Sequence, residues 1–158
     1  MLKANFITAQ EAAEKIQDGS TLCTIGMTLV SASESILKAI EKRFEMVGHP
    51  ADITLVHSCG QSDRKDGIQH LAHEGLVKRI VGSHWGLQPR WMEMIANSQV
   101  EAYCLPQGQI AQLYRSMACG LPGKMSKVGL GTFIDPRVEG GKMNDRTKPL
   151  PDIVDILE

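Results

Sequence analysis

Four short apolar runs, Thr21 to Ile25, Ile53 to Val56, Arg79 to Val81 and Val100 to Leu105, are each followed by a stretch with helical periodicity or a polar loop leading into one. Runs this short fit buried strands and are too short for buried helices. Strands that alternate with helices are joined by crossovers instead of hairpin turns, and crossovers give parallel pairing with helices laid on the sheet. The pattern predicts an α/β fold, an open and mostly parallel sheet with helices on both faces.

The helices have readable starts and faces. Thr8-Ala9-Gln10-Glu11 has the form of a capping box and predicts a helix to about Asp18-Gly19. Ser31-Ala32-Ser33-Glu34 repeats that form and opens a longer helix, with Ile36, Leu37, Ile40, Phe44 and Val47 as one buried stripe, ended by Gly48-His49-Pro50. A polar loop spans Cys59 to Gly67, and a short helix is expected over His70 to Leu76. Pro89 to Asn97 reads as a helix with Trp91, Met94 and Ile95 inward, and Gly108 to Cys119 as another with Ile110, Leu113, Tyr114 and Met117 inward. Beyond Gly120 the periodicity fades into a loop-rich segment carrying Gly120, Gly123, Gly129, Gly131, Gly140 and Gly141, with one short strand expected near Val128. Ile153, Val154, Ile156 and Leu157 form a final apolar run, strand or helix.

Composition excludes several function classes. The 158 residues predict a single domain, 1–158, large enough to bury about 70% of its unfolded surface. A formal net charge of -1 supplies no field for nucleic acid. No apolar stretch approaches the ~18 residues of a membrane span, and the amino terminus has no signal-peptide apolar core, so a cytoplasmic protein without membrane association is expected. The cysteines, at 23, 59, 104 and 119, form no C-x-x-C pair; reduced, buried thiols are expected, with neither disulfide nor zinc.

In open parallel sheets, ligands bind outside the carboxyl ends of the strands. Four strand-to-loop joints qualify: Gly26-Met27-Thr28, His57-Ser58-Cys59-Gly60, Gly82-Ser83-His84-Trp85-Gly86 and Pro106-Gln107-Gly108. Gln107 stands where a helix presents free backbone N–H groups, and an amide beside them could hold a developing oxyanion. On spacing alone the plainer reading is favoured, in which Gln107 caps the helix and Gly108 eases the turn. His84-Trp85-Gly86 could line a pocket, but from the residues alone Trp85 reads better as a core plug with its indole N–H satisfied. His70 and His73 are three apart, but their order fits no zinc signature and no third ligand is evident, so no metal is assigned. Gly129-Leu130-Gly131 is only a fragment of a dinucleotide fingerprint, and Asp135, Arg137, Glu139 and Lys142 read as a solvated loop.

Three runs in order carry a further signal: Gly75 to Gly86, Leu105 to Gly108, and Val128 to Gly141. Together they resemble the α-type, amino-terminal half of family I coenzyme A transferases, of the acetate or propionate type. The resemblance implies an open α/β fold in each of two similar halves and a ping-pong reaction. In it, a glutamate of the second half attacks an acyl-CoA thioester, passing through an acyl–glutamyl anhydride and a glutamyl–CoA thioester before CoA moves to another carboxylate. It implies no metal or redox cofactor, coenzyme A being part of the substrate. It gives Gln107, with Gly108, the oxyanion role, and makes Gly129 to Phe133, including Gly131 and Thr132, the loop shaping the acyl/CoA pocket. Gly26 and Gly60 are further substrate-binding candidates, although the glycine-rich turn after the first strand is reduced to Gly26-Met27-Thr28-Leu29.

No Ser-Glu-Asn-Gly or Glu-Ser-Gly nucleophile motif is present, and Glu74-Gly75 imitates one only within an α-half segment. The expectation is an α-type domain incomplete at its carboxyl end, binding acyl-CoA and a small carboxylate and needing a β-type half for the glutamate. An open sheet edge would favour a homo-oligomer. The rival readings are a non-catalytic relative that binds a ligand or protein partner, and a sugar-phosphate isomerase. The isomerase is disfavoured because no carboxylates and lysine gather around a glycine-rich phosphate loop.

Overall fold

Parallel pairing of the four apolar runs organises the structure, a computed structural model that describes residues 4–157. The strands are β1 (Thr21–Thr24), β2 (Ile53–His57), β3 (Val77–Gly82) and β4 (Glu101–Cys104), all parallel and in the order β1-β2-β3-β4. The helices are α1 (Ala9–Glu14), α2 (Glu34–Val47), α3 (Pro89–Ala96) and α4 (Gln107–Ala118), with a 3-10 helix over Gly67–Leu71.

Alternation along each strand sends neighbouring side chains to opposite faces. Ile53 and Leu55 of β2, Ile80 of β3 and Ala102 of β4 pack with Leu37 and Ile40 of α2 and Trp91, Met94 and Ile95 of α3. Val56, Val81 and Tyr103 face the other way, onto Ile110 and Tyr114 of α4. Helices therefore cover both faces, as the sequence pattern predicts. The connections from β1 to β4 run over one face, and the chain changes face only after β4.

Local chemistry explains most element boundaries. The Thr8 capping box forms, and the Arg43 guanidinium closes the other end of α1 by donating to Ala13 O (2.8 Å) and Ile16 O (2.9 Å). Gly48 ends α2 in the left-handed conformation, at φ 72°. Trp91 is fully buried, its indole N–H donating to Ile68 O at 2.8 Å.

Several expectations are corrected. Ser31 makes no capping box: it sits at φ 62° after a bridge between Met27 and Val30, and Glu34 instead accepts from the Gly67 N–H at 2.9 Å. Ile36 and Val47 are exposed, leaving Leu37 and Ile40 as the buried residues of α2. The short helix lies earlier than His70 to Leu76, because Gln69 anchors it by donating to Arg64 O and accepting from Arg90 N. In α4 Met117 is exposed and Ser116 is buried. No strand forms near Val128, and Ile153 to Leu157 is irregular. Cys23 and Cys119 are exposed and Cys59 and Cys104 half-buried, all free thiols and none of them fully buried.

The irregular carboxyl segment is nevertheless tied down. Gly141 O accepts from Cys104 N (2.8 Å) and Met143 N donates to Ala102 O (3.0 Å), covering the outer edge of β4. The Asn144 amide donates to Ile95 O (3.0 Å) and Val100 O (2.9 Å). β1 pairs only with β2, so its outer edge stays open among the described residues. Among the same residues, no helix is long and apolar enough to cross a membrane.

A Cβ at Gly82 would collide with the buried His57 ring, which cannot swing into solvent. Gly82→Ala is expected to lower stability by about 1–3 kcal/mol, the range for overpacking, as read by chemical denaturation. An unchanged midpoint would contradict this packing.

Candidate functional site

The face change after β4 creates a crevice. The chain leaving β3 turns to the α3 side and the chain leaving β4 to the α4 side, so their carboxyl ends separate, the position where open α/β sheets hold ligands. A cleft of about 500 Å³ lies there. Ser83 and His84 line it from the β3 loop, Cys59 from the β2 loop, and Cys104, Leu105, Pro106 and Gln107 from the end of β4. Ile134 completes the wall from the long carboxyl segment. A smaller hollow at the opposite end of the sheet, 240 Å³, is bounded by the Arg79–Glu101 ion pair.

Gln107 is the first residue of α4, with Pro106 at the cap position. Its side chain makes no hydrogen bond to the described residues, so it does not cap the helix as the plainer sequence reading had it. The first α4 turn is closed by Gln109 N and Ile110 N, both donating to Pro106 O, which leaves the Gln107 and Gly108 N–H groups without intrahelical acceptors. A Cβ on Gly108 would meet nothing within 4 Å. Amide side chain and free N–H groups thus share the start of one helix.

The other predicted residues are distributed around this point. Gly60 is buried behind the lining: a Cβ there would lie 2.9 Å from the end of the Gln88 amide and 3.0 Å from His84 Nδ1. Gly26 lies outside the wall, in the β1 loop, where φ 135° and a projected Cβ 2.9 Å from Val30 O both require glycine. The two loops are joined by Thr28 N donating to Gly60 O at 2.9 Å. Gly129, Gly131, Thr132 and Phe133 do not line the cleft; they build the turn that presents Ile134. Thr132 Oγ1 donates to Gly129 O (2.7 Å), Gly131 N to Asp135 Oδ2 (2.7 Å) and Gly141 N to Phe133 O (3.0 Å). The Arg137 guanidinium, with the Gly131 and Arg137 N–H groups, holds the Asp135 carboxyl well below the usual carboxylate range. Asp135 is 2% exposed and a brace for the turn, not part of a solvated loop.

Beneath the wall lies buried polar packing that sequence inspection missed. Gln61 donates its amide to Thr24 O at 2.9 Å. Gln88, with its amide oriented to satisfy its neighbours, donates to His84 O (3.1 Å) and Trp85 O (3.2 Å) and accepts from Gln61 N (3.1 Å). Trp85 is buried as expected, edge-on to His57 with ring centroids 5.7 Å apart, but its indole N–H, expected to be satisfied, has no partner among the described residues. Tyr114 Oη lies 3.2 Å from both Thr24 O and Val56 O, and burial pushes its pKa up to about 12. Burial likewise raises the Cys104 thiol. The rule that ligands meet strand carboxyl ends pointed to Cys59, Ser83 and His84; no sequence signal marked Ile134.

Among the described residues, no glutamate or aspartate lines the cleft. Glu74 is exposed just before β3, at the amino end of the sheet and away from the cleft. His70 and His73 do not share one metal site: His70 Nε2 faces Glu34 Oε1 (2.8 Å) and Asp66 Oδ1 (3.3 Å), while His73 meets Glu41 Oε1 (2.8 Å). His70 Nδ1 bonds the other Glu41 oxygen, and Lys38 bridges Glu34 and Asp66 at 3.1 and 3.2 Å. These contacts give two groups within 4.8 Å, Glu34-Asp66-His70 and Glu41-Glu45-His73, the first already bridged by Lys38.

Residues 6–154 match the coenzyme A transferase family. The chain belongs to that family. It is 41% identical to the caffeate CoA-transferase of Acetobacterium woodii over 98% of its own length and 29% of that protein's. Crystal structures of the acyl-CoA transferase YdiF from Escherichia coli O157:H7, as apoenzyme and as a thioester complex with CoA, superpose with a TM-score of 0.88 at 36% identity, covering 96% of this chain and 30% of that one. A more distant relative, at 23% identity over 85% of this chain and 58% of its own, is the alpha chain of the acetate CoA-transferase of Escherichia coli K12. The chain is thus an α-type portion of a CoA-transferase, spanning about three-tenths of the length of the first two relatives.

The histidine knot has a pH signature. Burial pulls the His70 pKa down, but its bonds to Glu41 and Glu34 outweigh that and raise it above 6.5. For Glu41, burial acts upward and the bonds to His73 and His70 prevail, lowering it below 4.5. A raised folded histidine contributes fully below its unfolded value and loses the contribution as pH rises through the folded value; a lowered carboxylate contributes above its unfolded value. The stability difference between the wild-type chain and Glu41→Gln should therefore be largest between about pH 4.5 and about pH 6.5 and shrink toward pH 8. A difference that grows from pH 6 to pH 8 in urea denaturation contradicts this assignment.

Proposed function

We propose that the cleft is the α-type side of an acyl-CoA:carboxylate CoA-transferase active site. The observation that carries the reading is the placement of the Gln107 amide and the free Gln107 and Gly108 N–H groups at a helix start opening onto a partly apolar cleft. In this reading a short-chain acyl-CoA, of the acetyl or propionyl type, lies with its acyl group against Leu105, Pro106 and Ile134. Its thioester oxygen accepts from the Gln107 amide and the helix N–H groups, which strengthen as negative charge develops on that oxygen.

The nucleophile comes from elsewhere, because no carboxylate among the described residues lines the cleft. A glutamate of a β-type half attacks the thioester carbonyl carbon; the C–S bond breaks, CoA leaves as thiolate, and an acyl–glutamyl anhydride remains. CoA thiolate then attacks the glutamyl carbonyl, releasing the first carboxylate and forming a glutamyl–CoA thioester. The acceptor carboxylate reverses the sequence and departs as its own CoA thioester. Each step exchanges one acyl bond for another, so the reading assigns no metal and no redox cofactor. Gly108 leaves room for the ligand, Gly60 and the linked Gly26 turn shape the opposite wall, and Gly129, Gly131, Thr132 and Phe133 present Ile134. The open edge of β1 supports assembly into a homo-oligomer or with the β-type half.

The absence of a lining carboxylate equally suits a module that binds acyl-CoA without turning it over. Both versions require ligand in the cleft. Acetyl-CoA should slow iodoacetamide alkylation of Cys59 and Cys104, which line the cleft, and leave Cys119, exposed at the end of α4, unaffected. Gly108→Ala should gain about 0.5–1 kcal/mol of stability, as alanine does over glycine in a helix, yet weaken that protection. Equal alkylation of Cys59 and Cys104 with and without saturating acetyl-CoA, read by peptide mass spectrometry, would remove the reading.

A further inference from the structure

We infer that His57 is a positioning residue: its Nδ1–H bond to the Cys59 carbonyl sets the loop from Ser58 to Gly60, which brings Cys59 to the wall of the cleft. The inference rests on the reading of the cleft given above and adds a residue that lies outside its lining.

Three successive carbonyls in that loop are each held by a donor from a different strand end. Ser83 Oγ, after β3, donates to Ser58 O; His57 Nδ1, at the end of β2, donates to Cys59 O at 2.8 Å; Thr28 N, after β1, donates to Gly60 O at 2.9 Å. These three bonds fix the loop backbone on either side of Cys59, the residue of this loop that lines the cleft. His57 supplies the middle bond, and its ring has no freedom to do otherwise. It is fully buried, edge-on to Trp85 at an interplanar angle of 83°, and pressed on Gly82, where even a methyl group would collide with it.

A carbonyl can only accept, so the proton sits on Nδ1 and the other nitrogen is a bare acceptor. Nε2 has no hydrogen-bond partner among the described residues. Burying such an atom is destabilising, and an apolar side chain would carry no such atom. Histidine therefore gives the fold nothing through packing that an apolar ring would not give; what it adds is the Nδ1–H bond. Burial lowers the His57 pKa to about 4, so at neutral pH the ring acts through this bond and carries no charge.

The test separates bond from bulk. His57→Phe keeps an aromatic ring, a larger one, and removes the donor; His57→Asn places an amide N–H near the Nδ1 position but leaves a void. Ligand-free alkylation of Cys59 by iodoacetamide, referenced to Cys119 in the same sample, should accelerate several-fold in His57→Phe and stay near wild type in His57→Asn, although the asparagine variant melts lower. Acetyl-CoA protection of Cys59 should be lost in the first variant and kept in the second. A wild-type Cys59 rate in His57→Phe, or acceleration in His57→Asn to the same degree, overturns the inference. If His57→Phe does not fold, acceleration in His57→Asn overturns it and a wild-type rate there supports it. If acetyl-CoA fails to protect the wild-type chain, the reading of the cleft falls, while the ligand-free rates still decide the role of His57.

Discussion

The cleft depends on one topological constraint: β3 and β4 are parallel neighbours whose following chains leave for opposite faces of the sheet. Crossovers between parallel strands keep one hand, so a chain that steps β1, β2, β3, β4 in one direction keeps its connecting segments on one side. After β4 the chain crosses instead to the second face, which α4 covers through Ile110 and Tyr114. The separation of the β3 and β4 loops follows from that change of face. It exposes the start of α4, where backbone donors are free by the nature of a helix end.

The loops at this edge are held by buried amides and hydroxyls in place of apolar packing. Gln61, Gln69 and Gln88 each tie a loop to a backbone group, and Tyr114 reaches across from the second face. The cost is visible in the same place. Thr24 Oγ1, His57 Nε2, Gln61 Oε1, Trp85 Nε1 and Gln109 Oε1 are buried side-chain atoms without partners among the described residues, and all five lie at the carboxyl ends of the strands or in the first turns beyond them. Polar strain gathered at one edge of an otherwise well-satisfied domain is characteristic of a site at which stability has been exchanged for shape.

The sheet was legible because each strand is a short apolar run bounded by glycine, proline or polar residues, and α3 because Trp91, Met94 and Ile95 keep strict helical spacing. The capping box expected at Thr8 forms and the one expected at Ser31 does not, although both segments fit the same pattern. What separates them is a long-range partner, the Gly67 N–H, that takes the Glu34 carboxylate. Gln107 read more simply as a cap because the sequence does not show that Pro106 occupies the cap position and leaves the amide free. Ile134 could not be found at all: it reaches the cleft through a turn braced by Asp135 and by Gly141, none of which has a periodic signature. In the sequence His57 stands only as the start of a strand-to-loop joint, and its burial depends on glycine at position 82 of the adjacent strand.

The central claim is that this chain holds the oxyanion and acyl-CoA side of a transfer site and lacks its nucleophile. The most direct measurement is CoA transfer from acetyl-CoA to isotopically labelled propionate by residues 1–158 alone, in a sample shown to be folded and to protect Cys59 in the presence of acetyl-CoA. The account predicts ligand protection without turnover, and turnover only when a glutamate-bearing half is supplied. Sustained transfer by these residues alone would contradict it, because a working nucleophile would then have to lie within a chain whose cleft presents no carboxylate among the described residues.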